Sequence, residues 1–275
     1  MLGNTGVSIM VGFSFGQPVE KEYFFDRASE LAILLARAES IKKNARNDCA
    51  LIGPRRVGKS SLTNRVMVEC RKQNIRSILI DCEGLPLSVF LREYSNALIA
   101  SELDEKNLAA DFREKIKQGV SEAIYILSEA LGKIKAVEVK SPLIDFLALR
   151  IELEKNEESE LRGGKLFDFL VKTLELPEKL GKKYLIIFDE FQDTSNYNVF
   201  EKNDFHALFR RAIQNQKNIC YIYTGSSVRM MEEIFGNSDN PLAANADLIY
   251  LGPFSQQNSF DFIKQGLKEN GKKNR

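Results

Sequence analysis

The sequence predicts a three-layer α/β fold around a mainly parallel, five-stranded sheet, and three observations carry that reading. First, five short runs (residues 49–52, 77–80, 184–188, 219–223 and 248–251) are apolar on both faces, as strands buried inside a parallel sheet must be. Second, these runs alternate with longer stretches whose apolar residues recur at helical spacing. Third, 44% hydrophobic and 28% charged residues supply a sizeable core within a solvated surface, which excludes a wholly disordered chain.

The elements follow in order. Residues 28–43 carry Leu31, Leu34, Leu35, Ala38 and Ile41 on one helical face, with Asp26 as the expected N-cap. Residues 59–73 turn Leu62, Val66 and Cys70 to one side, and residues 203–214 turn Phe205, Leu208, Phe209 and Ala212 inward. About a hundred residues separate the second apolar run from the third, far more than a simple crossover needs. This stretch reads as a mostly helical insertion over about residues 84–176. It is expected to hold a helix near 87–101, a charged amphipathic helix near 108–131, short half-exposed strands at Val137/Val139 and Leu149/Ile151/Leu153, and a helix after Gly163-Gly164. The charge run from Glu152 to Glu160 reads as a solvated face.

Length and charge narrow the classes. At about 150 residues per domain, 275 residues give a prior of about 1.8 domains. The formal net charge of +1 excludes a global polybasic footprint. No apolar run reaches roughly 18 residues and the N-terminus lacks a signal-peptide pattern, so a cytoplasmic protein without a membrane span is expected. Cys49, Cys70, Cys82 and Cys220 form no CxxC pair and read as reduced, buried thiols. His206 is the only histidine, which leaves zinc and Ser-His chemistry with little support.

The chemistry starts at Gly53-Pro54-Arg55-Arg56-Val57-Gly58-Lys59-Ser60, the G-x-x-x-x-G-K-S phosphate-binding pattern known as Walker A. It follows a buried strand and opens an amphipathic helix, the context its mechanism requires. Its glycines let backbone N–H groups converge on phosphate oxygens, helped by the positive end of the helix dipole. Residues 53–61, through Ser61, are therefore the candidate nucleotide-binding loop. Lys59 should reach the β- and γ-phosphates and Ser60 should ligate Mg²⁺. Arg55 and Arg56 either touch phosphate or are exposed loop arginines.

Leu185-Ile186-Ile187-Phe188-Asp189-Glu190 is an apolar strand ending in two carboxylates, the Walker B pattern. Asp189 is expected to hold Mg²⁺ through its water shell and Glu190 to polarise the attacking water. The Asp-Glu pair favours an ATPase over a kinase or GTPase, and no Asn-Lys-x-Asp guanine-reading motif is present. Thr224 ends the next apolar run and is the candidate γ-phosphate sensor, with Ser226 second; the alternative is a plain Ser/Gly turn.

Phe24-Phe25-Asp26-Arg27, GPRRVGKSSL (53–62), LIIFDEFQ (185–192), YTGSS (223–227) and LGPFS (251–255) together resemble the archaeal-type ATPases of the AAA+/STAND-related P-loop NTPase superfamily. The resemblance spans residues 24–255. It implies a sheet of order 5-1-4-3-2, an adenine pocket near Phe25 and Arg27, and a small helical lid beginning at LGPFS. The division that follows is an N-terminal segment (1–22), an ATPase core (23–251) and the start of a truncated lid (252–275), with no second sensor or winged helix assigned. Arg210 and Arg211 stand where some relatives place an arginine finger, or are ordinary surface arginines. The expected ligands are ATP and Mg²⁺. The expected partner is another protein or a second copy; DNA is the alternative and draws no support from the net charge. Three functional readings follow: turnover driving a conformational or assembly switch, a nucleotide-gated adaptor with little turnover, or a DNA-associated ATPase similar to replication initiators or mobile-element helpers.

Overall fold

The computed structural model describes residues 27–103, 146, 164–200 and 204–273. The expected helix at 108–131, the strands at 137–139 and 149–153, Phe25 and the expected cap Asp26 lie outside them. In chain order the elements are α1 (Ala28–Ser40), β1 (Cys49–Ile52), α2 (Lys59–Lys72), β2 (Arg76–Asp81), α3 (Leu87–Leu103), α4 (Gly164–Lys179), β3 (Tyr184–Asp189), α5 (Phe205–Ile213), β4 (Ile219–Gly225), α6 (Val228–Phe235), β5 (Asp247–Tyr250) and α7 (Gln256–Lys273). The sheet runs β2-β3-β4-β1-β5 and every pairing is parallel. This is the expected order 5-1-4-3-2 read from the other edge.

Alternation along the strands divides the core in two. Ala50, Ile52, Tyr184, Ile186, Phe188, Tyr221 and Tyr223 point to one face, where Phe90, Tyr94, Phe169, Leu170, Phe209 and Phe235 cover them. Cys49, Leu51, Leu185, Ile187, Cys220 and Ile222 point to the other, beneath Leu34 and Ala38 of α1 and Leu62, Val66 and Cys70 of α2. The first face holds the bulky aromatics, and Phe188 stacks on Tyr221 at 5.9 Å between ring centroids. The second face holds the small thiols of Cys49, Cys70 and Cys220, Cys82 lies on the aromatic face, and all four cysteines are free and buried. Helix α3 and most of α4 fall inside the stretch read as an insertion, yet their buried residues share one core cluster with the aromatic face of the sheet, and Phe90 and Tyr94 of α3 pack against Phe188 of β3. No helix among the described residues is long and apolar enough to cross a membrane.

Because β1 is central and all strands are parallel, the carboxyl ends of β1, β3 and β4 open at one edge. That edge is where ligands bind in open α/β sheets.

Candidate functional site

The loop after β1 is fixed by its neighbours. Gly53 N–H donates to the Gly225 carbonyl at 3.3 Å, and Leu251 N–H donates to the Ile52 carbonyl at 2.7 Å. A Cβ on Gly53 would collide with the Leu251 carbonyl oxygen, so only glycine lets the chain leave the sheet between β4 and β5. Arg56 (φ 66°) and Gly58 (φ 102°) then adopt left-handed backbone, turning the chain back into α2. Ser60 and Ser61 lie half-buried in the first turn of α2.

Lys59 is buried. Its ammonium donates to the carbonyls of Gly53 at 2.7 Å and Pro54 at 3.1 Å. Burial pushes its pKa down, while the carboxylates of Glu190 and Asp189 pull it back up; the net direction is down. Pro54, Arg55 and Arg56 are exposed and Val57 is half-buried. Arg55 pairs with Glu83 in the loop after β2.

The acids come from β3. Parallel pairing sets Phe188 against Tyr223, so the next residues, Asp189 and Thr224, face each other across the strand ends. The Thr224 hydroxyl donates to Asp189 Oδ1, which also accepts from Glu190 N–H at 3.1 Å. Glu190 itself has left-handed backbone (φ 49°, ψ 44°), a strained conformation for a non-glycine residue. Its Oε2 accepts from Gln192 Nε2 at 2.6 Å, Ser226 Oγ at 2.7 Å and Ser226 N–H at 3.0 Å. Burial pushes the Glu190 carboxyl up, but these three donors, with Lys59, outweigh it and hold the group below its ordinary value. Asp81 lies in register with Asp189 on β2. Burial, together with Asp189, Glu83 and Glu190, pushes the Asp81 carboxyl up against the pull of the Glu83 N–H.

Behind the acidic turn, Phe191 stacks on His206 at 5.8 Å. The Thr194 hydroxyl donates to the Phe191 carbonyl at 2.7 Å and lies 2.9 Å from His206 Nε2. A hydroxyl has one proton, so Nε2–H donates to Thr194 and Nδ1 accepts from Asn240 Nδ2 at 3.4 Å. Burial pushes the His206 pKa down to about 4. This histidine supports the turn and does not reach the loop chemistry.

Arg27 sits elsewhere on the loop. Its guanidinium donates to Glu30 at 2.9 Å, the Val57 carbonyl at 3.3 Å and the Gly252 carbonyl at 2.5 Å, and lies 4.7 Å from the centre of the Phe254 ring. Arg27, expected from the sequence to border the adenine, clips the loop after β1 to the segment leading into α7. Arg210 donates to the Pro241 carbonyl at 2.8 Å, and Arg211 is exposed.

The site brings together Lys59, Ser60, Asp189, Glu190 and Thr224 at one sheet edge. Sequence reasoning missed three of its members: Gln192, Gly225 and Asp81. The first stands in the quoted DEFQ stretch and the second in YTGSS, but spacing alone assigns neither a contact.

A hydroxyl and a carboxylate at this edge suit Mg²⁺, which keeps several waters and takes substrate phosphate oxygens as further ligands. Asp189 Oδ1 is occupied by two donors, leaving Oδ2 for such a water shell. Among the described residues no three His, Cys, Asp or Glu side chains converge as a closed metal cage.

Sheet order, loop and acids together define a P-loop nucleotide-binding ATPase domain. Residues 24–275 match the family described as ATPase domains predominantly from Archaea, and the chain belongs to that family. It is similar to the Walker-type ATPase of Pyrococcus abyssi, with 25% identity and a TM-score of 0.54 over 90% of this chain and 59% of that one. Two further structures share 90–91% coverage of this chain at TM-scores of 0.49. They are the Aeropyrum pernix ORC2 protein in its ADPNP-ADP complexes (12% identity, 54% of its length) and the Cdc6p protein of Pyrobaculum aerophilum (11%, 52%). The chain thus spans between half and three-fifths of the length of these proteins. No curated protein sequence matches it significantly.

Proposed function

We propose that this domain binds Mg-ATP at residues 53–61 and hydrolyses it with water, using the energy of binding and turnover to drive a conformational switch. In this reading the loop N–H groups and Lys59 hold the phosphates, and Ser60 and Asp189 hold Mg²⁺, which neutralises charge building on the phosphates. Glu190 accepts a proton from the attacking water, and Thr224 orders the acid edge. The observation that supports hydrolysis best is the state of Glu190: a carboxylate kept charged by three donors within the field of Lys59 is ready to act as a base. The switch reading rests on Arg27, which joins the Val57 carbonyl of the loop to Gly252 and Phe254 ahead of α7. Any shift of the loop on nucleotide binding is transmitted to that segment.

The test is Glu190→Gln, measured for Mg-ATP binding by calorimetry and for phosphate release. Binding within about twofold of the parent with turnover reduced by roughly 10²-fold or more is expected. Undiminished phosphate release would remove Glu190 as the base.

A further inference from the structure

Gln192 has no part in binding phosphate, yet its amide is set against the Glu190 carboxylate at some cost. The residue is buried, and its Nε2 donates to Glu190 Oε2 at 2.6 Å. Its Oε1 is buried with no hydrogen-bond partner. That oxygen lies only 2.6 Å from where a Cβ on residue 225 would stand, beside the Met231 side chain of α6. An unsatisfied buried amide oxygen is unfavourable, so something must hold the amide in this orientation. The reversed amide would set two acceptors, Oε1 and the carboxylate, against each other. Glu190 therefore fixes which way the amide points, and Gly225 with Met231 fixes where it sits. Ser226 adds its hydroxyl and N–H to the same carboxylate oxygen. Three donors thus converge on Oε2 and none of them on Oε1.

We propose that Gln192, backed by Ser226, is the positioning residue of the hydrolytic site: it holds Glu190 by one carboxylate oxygen and leaves the other to accept the proton of the attacking water. The inference rests on the ATPase reading of Glu190. It also gives α6 a route to the chemistry, because Met231 packs where Gln192 is seated.

Gln192→Leu tests it, since leucine has similar volume and no donor. Mg-ATP hydrolysis over roughly pH 5–9 separates kcat from KM, and a ¹³C titration of the Glu190 carboxyl reads its pKa without turnover. Losing the donor should lower kcat by about tenfold or more with KM held within about twofold. The acidic limb of the kcat profile and the carboxyl titration should both move to higher pH. Ser226→Ala should move both in the same direction. Should Gln192→Leu fail to fold, Gln192→Asn, whose amide is one methylene short of Glu190, carries the same expectation. A parent-like kcat and acidic limb in these variants, with Glu190→Gln inactive, overturns the positioning role alone. Full activity of Glu190→Gln overturns the ATPase role of Glu190 and the proposal with it.

Discussion

The Lys59 ammonium donates to the carbonyl oxygen of Gly53 at 2.7 Å, closing the phosphate loop on its own first residue. Two backbone carbonyls, of Gly53 and Pro54, thus hold the lysine over the loop and restrict its side chain. Lys59→Ala removes both this closure and the charge meant for the phosphates. Hydrogen bonds to charged groups contribute about 1.5–3 kcal/mol each. Mg-ATP affinity measured by calorimetry should therefore fall by roughly 100-fold or beyond detection. Unchanged affinity would refute the assignment of residues 53–61 to the nucleotide.

Gly225 has no room for a side chain. A Cβ there would lie 2.6 Å from both Gln192 Oε1 and Met231 Sδ. Gly225→Ala should cost about 1–3 kcal/mol through this overpacking, lowering the melting temperature by several degrees. Because Gln192 is one of the displaced groups, phosphate release should fall further than stability alone explains. A variant that melts and turns over like the parent would show that Gln192 and Met231 make room freely.

The architecture was legible because parallel strands buried on both faces read as unbroken apolar runs, and all five runs are strands of one sheet. The loop was legible because its glycines are fixed by backbone geometry: Gly58 does adopt φ 102°. Helix α1 matched its apolar spacing, with Ile41–Lys43 continuing as a 3-10 turn. What spacing could not supply was side-chain pairing across strand ends. That Thr224 meets Asp189 while Ser226 meets Glu190 depends on β3 and β4 being neighbours in one register, a tertiary fact. Arg27 is the other instance. Its left-handed backbone (φ 67°) aims the guanidinium at Val57 and Gly252, which no local pattern announces.

His206 makes stability depend on pH in a fixed direction. Its pKa lies near 4 when folded, against an ordinary value of 6.5, because burial penalises the charged ring. The unfolded chain thus binds the proton more readily, so this contribution is complete above about pH 6.5 and is lost as pH falls toward 4. The full span is worth about 3 kcal/mol. Urea midpoints should drop across that window, and His206→Gln should flatten the drop. An equally steep decline in the variant would assign the effect to other groups.

Arg46 and Asp48 close the opposite end of the sheet. Asp48 is buried, accepts from Arg46 Nε at 2.7 Å and from Tyr221 N–H at 2.9 Å, and its carbonyl accepts from Asp247 N–H at 3.2 Å. Arg46 also lies over the Tyr221 ring at 5.1 Å. The pair thereby ties the starts of β1, β4 and β5 together. Burial pushes the Asp48 carboxyl up, and Arg46 is the largest influence pulling it down. Arg46→Met leaves that charge unpaired, which should cost about 3–5 kcal/mol at neutral pH. An acid whose folded pKa exceeds its unfolded one gains stability as it takes up a proton, so the deficit should shrink as pH is lowered. Asp48→Asn added to Arg46→Met removes the stranded charge while an amide oxygen still accepts from Tyr221. The double variant should recover at least half of the lost stability at neutral pH. Equal melting temperatures for the single and double variants would mean that water reaches Asp48 and that the pair does not hold these strands.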